Sequence, residues 1–259
     1  MKNRITQLFK RKDKEILSIY FTAGYPNLDN TTTILTHLEQ AGVDLVEIGI
    51  PYSDPLADGP TIQKSGQIAL DNGMTLQILF EQLKNIRETV QIPIVLMGYL
   101  NPILQYGVNN FLQQCAVLGV DGIIVPDLPM EYYKQHFEEA CHTLNISNIM
   151  LISNETSQER IRQIDQCTTG FIYMVSSNSI TGANKDLNTQ TDYYSRIQQN
   201  KLNNPTLIGF NIHNNDTYKL SCQYSSGAII GSAFVKHITA NGIAQNSINN
   251  FTNQIKNNN

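Results

Sequence analysis

Residues 45–60 read LVEIGIPYSDPLADGP, a short apolar run followed by a stiff loop of prolines, small residues and aspartates. With the two-residue period of a strand, Leu45, Glu47 and Gly49 point to one side and the residues between them to the other. An ionised glutamate in a buried strand is costly unless it is paired. Glu47 therefore indicates a functional site, because α/β enzymes place their chemistry at the carboxyl ends of strands. A structural glutamate held by a neighbouring lysine or backbone group is the alternative.

The loop directly after this strand is acidic. It carries Asp54 and Asp58 between Pro51 and Pro60. Carboxylates in such a loop would stand over Glu47 and could share its chemistry. Their alternative role is that of ordinary turn and helix-cap residues, which aspartate often fills.

The rest of the chain alternates short apolar runs with amphipathic helical patterns. Eight runs are predicted as strands: 17–22, 45–49, 94–98, 122–125, 149–152, 171–175, 206–210 and 227–231. Helices are predicted over 3–12, 30–41, 61–70, 76–89, 108–118, 131–144, 158–167, 191–199, 216–224 and 243–256. Strands separated by helices pair in parallel, and eight such units predict a single-domain (β/α)8 TIM barrel over residues 1–259, with an N-terminal helix and extra helices in the βα loops. An open doubly wound sheet is the alternative, although the first strand is followed by Thr-Ala-Gly-Tyr-Pro rather than a glycine-rich turn.

Composition limits the classes of function. The chain of 259 residues has a net charge of −4 and 41% hydrophobic residues, which argues against a disordered chain and against a nucleic-acid partner. Its four cysteines form no C-x-x-C pair, as expected for free thiols in a reducing compartment. The N-terminus has no apolar leader, and no apolar stretch approaches the roughly 18 residues that cross a membrane. These features predict a soluble protein of the cytoplasm.

Glycine-containing loops follow the last three strands. Gly182, Gly209, Gly231 and Ser232 would let backbone N–H groups approach an anion, and a helix that starts after Gly231 would add its positive end. The loops after strands seven and eight of a TIM barrel commonly bind phosphate. The alternative is that these glycines only make tight turns.

Further polar residues stand at the carboxyl ends of predicted strands and could touch a ligand or simply bond to neighbours on the rim. They are Tyr20, Thr22, Tyr99, Asn101, Asp127 and Tyr173.

Six motifs taken together resemble the tryptophan synthase α chain family over nearly the whole sequence. They are FTAGYP (21–26), VEIGIPYSDPLADGPTIQ (46–63), GYLNP (98–102), VPDLP (125–129), SITGA (179–183) and IGSAFVK (230–236). The resemblance implies a lyase that cleaves indole-3-glycerol phosphate to indole and glyceraldehyde 3-phosphate. It also implies an α2β2 complex with a β chain that carries pyridoxal phosphate and receives the indole, whereas the α chain itself needs no cofactor or metal.

Carried over to this chain, the resemblance makes Glu47 the catalytic glutamate, Asp58 the catalytic aspartate and Asp54 the residue that contacts the β chain. It places phosphate binding at Gly182, Gly231 and Ser232, with Tyr173 and Thr181 beside them. Thr181 belongs to a predicted lid over residues 180–189 that folds over Asp58.

Two departures from the family pattern are visible. The family usually has Gly-Phe-Gly after strand seven, whereas this chain has Gly209-Phe210-Asn211. Because asparagine tolerates positive φ better than most residues, Asn211 is expected to keep the turn. Ser177 and Ser179 stand in the lid where some members carry arginine and glycine.

The chemistry of the residues agrees with this activity. An apolar barrel mouth is expected to raise the pKa of Glu47 toward neutrality, so that it can donate and then accept a proton. Two other functions remain open at this point. One is a different phosphate-binding barrel, such as a pentose-phosphate epimerase, which would need histidines and paired aspartates at strand ends. The other is a binding or regulatory subunit that has kept the barrel and lost the chemistry.

Overall fold

Nine short parallel strands form one sheet in the computed structural model, which describes residues 3–176 and 187–257. The strands are β1 (Ile16–Thr22), β2 (Leu45–Gly49), β3 (Ile94–Met97), β4 (Gly122–Ile124), β5 (Ser147–Ile149), β6 (Leu151–Ile152), β7 (Ile172–Val175), β8 (Thr206–Gly209) and β9 (Gly227–Ile230). Their order in the sheet is β5-β4-β3-β2-β1-β9-β8-β7-β6. The two edge strands, β5 and β6, follow each other in the chain, so the sheet curls into a barrel that is nearly closed.

The fifth predicted strand differs from the prediction. Residues 149–152 were expected to form one strand, but Met150 separates β5, which pairs with β4, from β6, which pairs with β7. The chain thus changes the strand that it pairs with at Met150. The carbonyl of Met150 already accepts from the N–H of Tyr173 on β7 at 3.0 Å. The predicted barrel is confirmed, with one of its eight strands divided in two.

Thirteen α-helices lie in the described ranges. They are α1 (Arg4–Arg11), α2 (Thr31–Gln40), α3 (Pro60–Asp71), α4 (Leu76–Leu83), α5 (Leu100–Tyr106), α6 (Val108–Val117), α7 (Met130–His136), α8 (Glu138–Leu144), α9 (Gln158–Cys167), α10 (Leu187–Gln199), α11 (Asn215–Tyr224), α12 (Ser232–Asn241) and α13 (Gln245–Lys256). Two 3-10 turns, Leu28–Asn30 and Ile86–Glu88, complete the set.

Two helical predictions need correction, and one helix was not predicted. The helix expected over 131–144 is two helices, because the chain breaks at the fully buried Phe137. The helix expected over 76–89 ends at Leu83 and is followed by the turn Ile86–Glu88. Helix α5 was not predicted, since its Asn-Pro sequence is typical of a turn; Pro102 is nevertheless tolerated there because it lies in the first helical turn, where its missing N–H costs nothing.

The apolar residues pack in two layers. One lies between the strands and the surrounding helices, and the other fills the barrel. Helix α1 closes the amino-terminal end of the barrel, where Ile5 and Leu8 are buried among the inward-facing residues of the strands. The side chain of Asn3 caps this helix by accepting from the N–H of Ile5 at 2.9 Å. With that end filled, the opposite end, where the strands finish, is left for a site.

Candidate active site at the carboxyl ends of the strands

Glu47 lies on the inward face of β2 and is 0% exposed. Its Oε1 accepts a hydrogen bond of 3.0 Å from the hydroxyl of Ser18 on β1, while its Oε2 has no partner among the residues that the structure describes. None of the ion pairs among the described residues includes Glu47, so no described lysine holds it as a structural carboxylate. Burial raises its pKa to about 8, and the Ser18 hydrogen bond opposes that shift. The expected rise of the Glu47 pKa toward neutrality is thus found, whereas the hydrogen bond from Ser18 was not predicted from the sequence.

Asp58 stands in the loop between β2 and α3, where the side chain of Tyr99 fixes it. The hydroxyl of Tyr99 donates to Oδ2 of Asp58 at 3.0 Å and accepts from the N–H of Ala57 at 2.9 Å. A second side chain, that of Gln63 on α3, donates to the carbonyl of Asp58 at 2.8 Å. Burial raises the pKa of Asp58 to about 6, against the opposing effect of the Tyr99 hydrogen bond. Asp58 therefore carries a negative charge at neutral pH.

Two tyrosines lie close enough to both carboxyl groups to feel their charge. Burial, and after it the charge of Asp58, raises the pKa of Tyr20 well above its usual value, with a smaller contribution from Glu47. Burial also raises the pKa of Tyr173, with contributions from Glu47 and then Asp58. Because each tyrosine senses both carboxyl groups, the four side chains share one region of the barrel mouth.

Each of these tyrosines lies over a glycine of the neighbouring strand. A Cβ at Gly49 would stand 2.0 Å from the hydroxyl of Tyr20, and a Cβ at Gly209 would stand 2.1 Å from the hydroxyl of Tyr173. The strand register is the same in both cases, since Tyr20 pairs with Glu47, two residues before Gly49, and Tyr173 pairs with Leu207, two residues before Gly209. Both glycines are thus needed for the tyrosines to lie as they do.

In the predicted phosphate loops, the groups available to bind an anion belong mainly to the backbone. Gly231 precedes α12 as its N-cap and Ser232 is the first residue of that helix, so the N–H groups at this position have no partner within the helix. After β8, Phe210 and Asn211 both have left-handed φ angles, 68° and 58°. The positive φ expected at Asn211 is therefore present, and the hydroxyl of Ser176 donates to the carbonyl of Phe210 at 2.6 Å.

Thr181, Gly182, Ser177 and Ser179 lie outside the described residues, as does most of the predicted lid. The last positions of that lid, 187–189, belong to α10.

The remaining predicted residues lie on the rim. Asp54 is exposed, accepts from the hydroxyl of Ser53 at 2.5 Å, and comes two residues before Leu56, which is 86% exposed. The amide of Asn101 donates to the hydroxyl of Tyr52 at 3.3 Å. Asp127 accepts from the N–H of Leu100 at 2.9 Å. The hydroxyl of Thr22 is buried and bonded to that of Ser65 at 2.7 Å. Asn101, Asp127 and Thr22 thus each make the bond to a neighbour that their alternative role requires, and their contact with a ligand stays a prediction.

Two further features concern the chain as a whole. Within residues 3–176 and 187–257, no three or more histidine, cysteine, aspartate or glutamate side chains are grouped so that they could hold a metal ion. In the same ranges, no helix has both the length and the apolar character needed to cross a membrane.

Comparison with known proteins agrees with this geometry. The model of the tryptophan synthase alpha chain family matches residues 6–259. The tryptophan synthase alpha chain of Flavobacterium psychrophilum is 55% identical over 254 residues, which cover 98% of this chain and 99% of the relative. Among solved structures, the tryptophan synthase alpha subunit of Legionella pneumophila superposes with a TM-score of 0.89 at 30% identity, covering 99% of this chain and 98% of that one. A chain of Mycobacterium tuberculosis tryptophan synthase superposes with a TM-score of 0.88 at 27% identity, with the same coverage. The chain therefore belongs to the tryptophan synthase alpha chain family, which cleaves indole-3-glycerol phosphate to indole and glyceraldehyde 3-phosphate in tryptophan biosynthesis.

Proposed function

We propose that Glu47 and Asp58 are the catalytic residues of this cleavage. The proposal is carried by the buried Glu47, one oxygen of which has no partner inside the barrel among the residues that the structure describes. A carboxyl group with a pKa of about 8 is mostly protonated at neutral pH. It can therefore act as a general acid without any change in its surroundings.

The reaction needs a proton at C3 of the indole ring before the side chain can leave. Glu47 donates this proton and becomes a carboxylate. The same carboxylate then accepts the proton of the C3′ hydroxyl as the carbon–carbon bond breaks and the aldehyde forms. One group thus serves as acid and then as base and ends in the form in which it began.

Asp58 stabilises the positive charge that protonation places on the indole nitrogen. Its pKa of about 6 leaves it ionised at neutral pH, and the hydroxyl of Tyr99 holds its Oδ2 at 3.0 Å. A fixed carboxylate that accepts the indole N–H stabilises a cationic intermediate more than the neutral substrate, as transition-state stabilisation requires.

The phosphate group binds to backbone N–H groups at Gly231 and Ser232, with contributions from Gly209, Asn211 and the Thr181-Gly182 segment. Support comes from the start of α12 at Ser232, because a helix N-terminus binds an anion without a formal cation. Tyr20 and Tyr173 line the space between this anion site and the carboxyl groups. The substrate is thus held at one end while its reacting carbon meets Glu47.

The chain acts together with a β chain in an α2β2 complex in the cytoplasm. Pyridoxal phosphate belongs to the β chain, and the α chain uses no cofactor of its own. Asp54 contacts the β chain, which its exposed position beside Leu56 would allow.

Incubation with indole-3-glycerol phosphate, while indole release is followed, tests the assignment of residues. Glu47→Gln should lower kcat by about 100-fold or more, the usual cost of losing a general acid–base, while substrate binding stays within a few fold. Asp58→Asn should also lower kcat strongly, since an amide supplies no negative charge. A Glu47→Gln variant that keeps more than about a tenth of the wild-type turnover would remove Glu47 from the mechanism.

A further inference from the structure

Ser18 is a buried hydroxyl that the proposed mechanism does not yet use. It lies in the middle of β1, is 0% exposed, and faces into the barrel. Its neighbours in register are apolar on both sides, Leu45 on β2 and Ile229 on β9. A hydroxyl buried between two aliphatic side chains needs an acceptor, and the acceptor given to Ser18 is Oε1 of Glu47 at 3.0 Å.

The hydrogen bond reaches Glu47 from the closed end of the barrel. Ser18 pairs with Leu45, whereas Tyr20, two residues further along β1, pairs with Glu47. The donor thus stands nearer to the end that α1 fills than Glu47 itself does. Among residues 3–176 and 187–257, Oε2 has no partner although the whole side chain is buried. An orphaned carboxyl oxygen is costly, and such an atom is expected where a substrate provides the missing partner.

We propose that Ser18 is a positioning residue that holds Oε1 of Glu47 and thereby leaves Oε2 as the one oxygen that exchanges protons with the substrate. The inference rests on the catalytic role proposed for Glu47.

The proton balance follows from this arrangement. Because the Ser18 hydroxyl donates to Oε1, the acidic proton resides on Oε2 in the starting state. It passes from Oε2 to C3 of the indole ring. When the C3–C3′ bond breaks, its electron pair returns to the indole ring, the C3′ oxygen forms a carbonyl, and the hydroxyl proton goes to Oε2. Ser18 keeps its own proton throughout.

A serine suits this task better than a cation would. A lysine or arginine at the same place would favour the carboxylate and hold its pKa low, so that Glu47 could not begin as an acid. A neutral hydroxyl opposes the effect of burial only in part and leaves the pKa of Glu47 at about 8. Among the described residues, the titratable groups that face this region from other elements are Tyr20, Tyr99, Tyr173 and Asp58. Of these, only Asp58 titrates below pH 10, with a pKa of about 6.

Ser18→Ala in the full-length chain, with and without a β chain, tests the proposal. We expect kcat to fall by about 10-fold to 100-fold, the range of one hydrogen bond to a charged group, while KM stays within about threefold. The basic limb of the pH profile of kcat should move to higher pH, because the carboxylate loses its donor. Ser18→Thr, which keeps the hydroxyl, should restore both, and Ser18→Cys, which keeps the size but donates weakly, should fall in between.

The control is Ser147→Ala. Ser147 is also a buried serine on a strand of this barrel, but it lies on β5, which pairs with β4 and not with the strands of Ser18 and Glu47, and its hydroxyl lies near Gly170. It should keep the wild-type kcat and pH profile. A loss in Ser147→Ala equal to that in Ser18→Ala would reduce Ser18 to a packing residue.

A second measurement does not depend on activity. The carbonyl stretch of the protonated Glu47 carboxyl, assigned by its disappearance in Glu47→Gln, can be titrated by infrared spectroscopy in the substrate-free protein. In Ser18→Ala the midpoint should move to higher pH than in the wild type. Wild-type kcat together with an unmoved midpoint would overturn the proposal. If instead Glu47→Gln stays active while the Ser18→Ala midpoint moves, the contact is real and the catalytic role of Glu47 is what fails.

Discussion

The two sides of the barrel mouth are built in different ways. On the catalytic side, formed by β1 to β3 and the loop 51–60, side-chain hydrogen bonds hold each carboxyl group: Ser18 holds Glu47 and Tyr99 holds Asp58. On the proposed phosphate side, formed by the segments after β8 and β9, the backbone determines the shape through Gly231 and the left-handed pair Phe210-Asn211. The proposed catalytic side thus positions carboxyl groups, whereas the proposed phosphate side positions backbone N–H groups. We therefore expect the two sides to be sensitive to different substitutions.

Substitutions on the two sides should change the pH dependence of the protein's stability differently, and this is the largest effect that we expect. The pKa of Glu47 is about 8 in the folded chain and 4.5 in the reference state. At Glu47 the folded state therefore binds more protons between these values, and the contribution of Glu47 to stability falls as pH rises through this window, by about 1.4 kcal/mol per pH unit. Glutamine does not ionise, so the advantage of Glu47→Gln over the wild type should grow from pH 5 to pH 8 and stay constant above it.

Tyr173→Phe is the matched variant on the phosphate side. Because burial raises the pKa of Tyr173 above 10, its stability difference from the wild type should not change over the same window. Urea unfolding of each variant at intervals between about pH 5 and pH 9 measures both differences. A flat difference for Glu47→Gln would show that Glu47 is not a buried, raised carboxyl group.

The two glycines beneath the tyrosines should separate turnover from binding. In Gly49→Ala the new Cβ would displace Tyr20 from its place beside the carboxyl groups, and kcat should fall by about 10-fold to 100-fold, because a displacement of about 1 Å near the reacting groups can cost that much. In Gly209→Ala the new Cβ would displace Tyr173 and the start of the loop after β8, and the main effect should be a higher KM. Steady-state kinetics of indole release distinguishes the two.

Loss of the tyrosine hydroxyl provides the control for the glycine variants. Tyr20→Phe combined with Gly49→Ala removes the atom that clashes most closely and should recover part of kcat, and Tyr173→Phe should do the same for KM in Gly209→Ala. If both glycine variants change kcat and KM alike, the two sides of the mouth are not separate.

Asp54 should matter only in the complex. Its side chain is exposed and bonded to Ser53, so Asp54→Ala should leave the isolated chain nearly unchanged. With the β chain bound, activation of indole release should fall by about tenfold, a usual size for coupling between two sites. The assay compares kcat with and without a β chain. Equal losses in both states would mean that Asp54 only stabilises its own turn.

The same contrast explains which site residues could be recognised from the sequence. Glu47 could be recognised because a single carboxylate interrupts an apolar run, and the alternation of that run shows which face it shares. Ser18 stands on the corresponding face of the neighbouring run, but a serine in a strand is common, and the register that brings it to Glu47 depends on β1 pairing with β2. The same limit applies to Tyr99, because nothing local to it shows that its hydroxyl will meet a loop 41 residues earlier.

Backbone conformation was harder to predict than side-chain placement. The break at Met150 and the start of α5 both depend on tertiary contacts that override local preference. The positive φ at Asn211 was expected from the residue type, but that of its neighbour Phe210 was not, since aromatic residues rarely adopt it.

The left-handed pair Phe210-Asn211 gives the smallest effect and the finest test of a backbone-built phosphate side. Glycine adopts φ near 58° without strain, but it also has more freedom in the unfolded chain, so Asn211→Gly should gain less than about 1 kcal/mol of stability and should not raise KM. Phe210→Gly relieves the same strain but loses the ring contact with Tyr173, whose centroid lies 6.3 Å away, and should be destabilised. Urea unfolding and steady-state kinetics of the two variants separate strain from contact. If Asn211→Gly loses stability or raises KM, the asparagine side chain rather than the backbone holds this loop, and the two sides of the mouth are more alike than their geometry indicates.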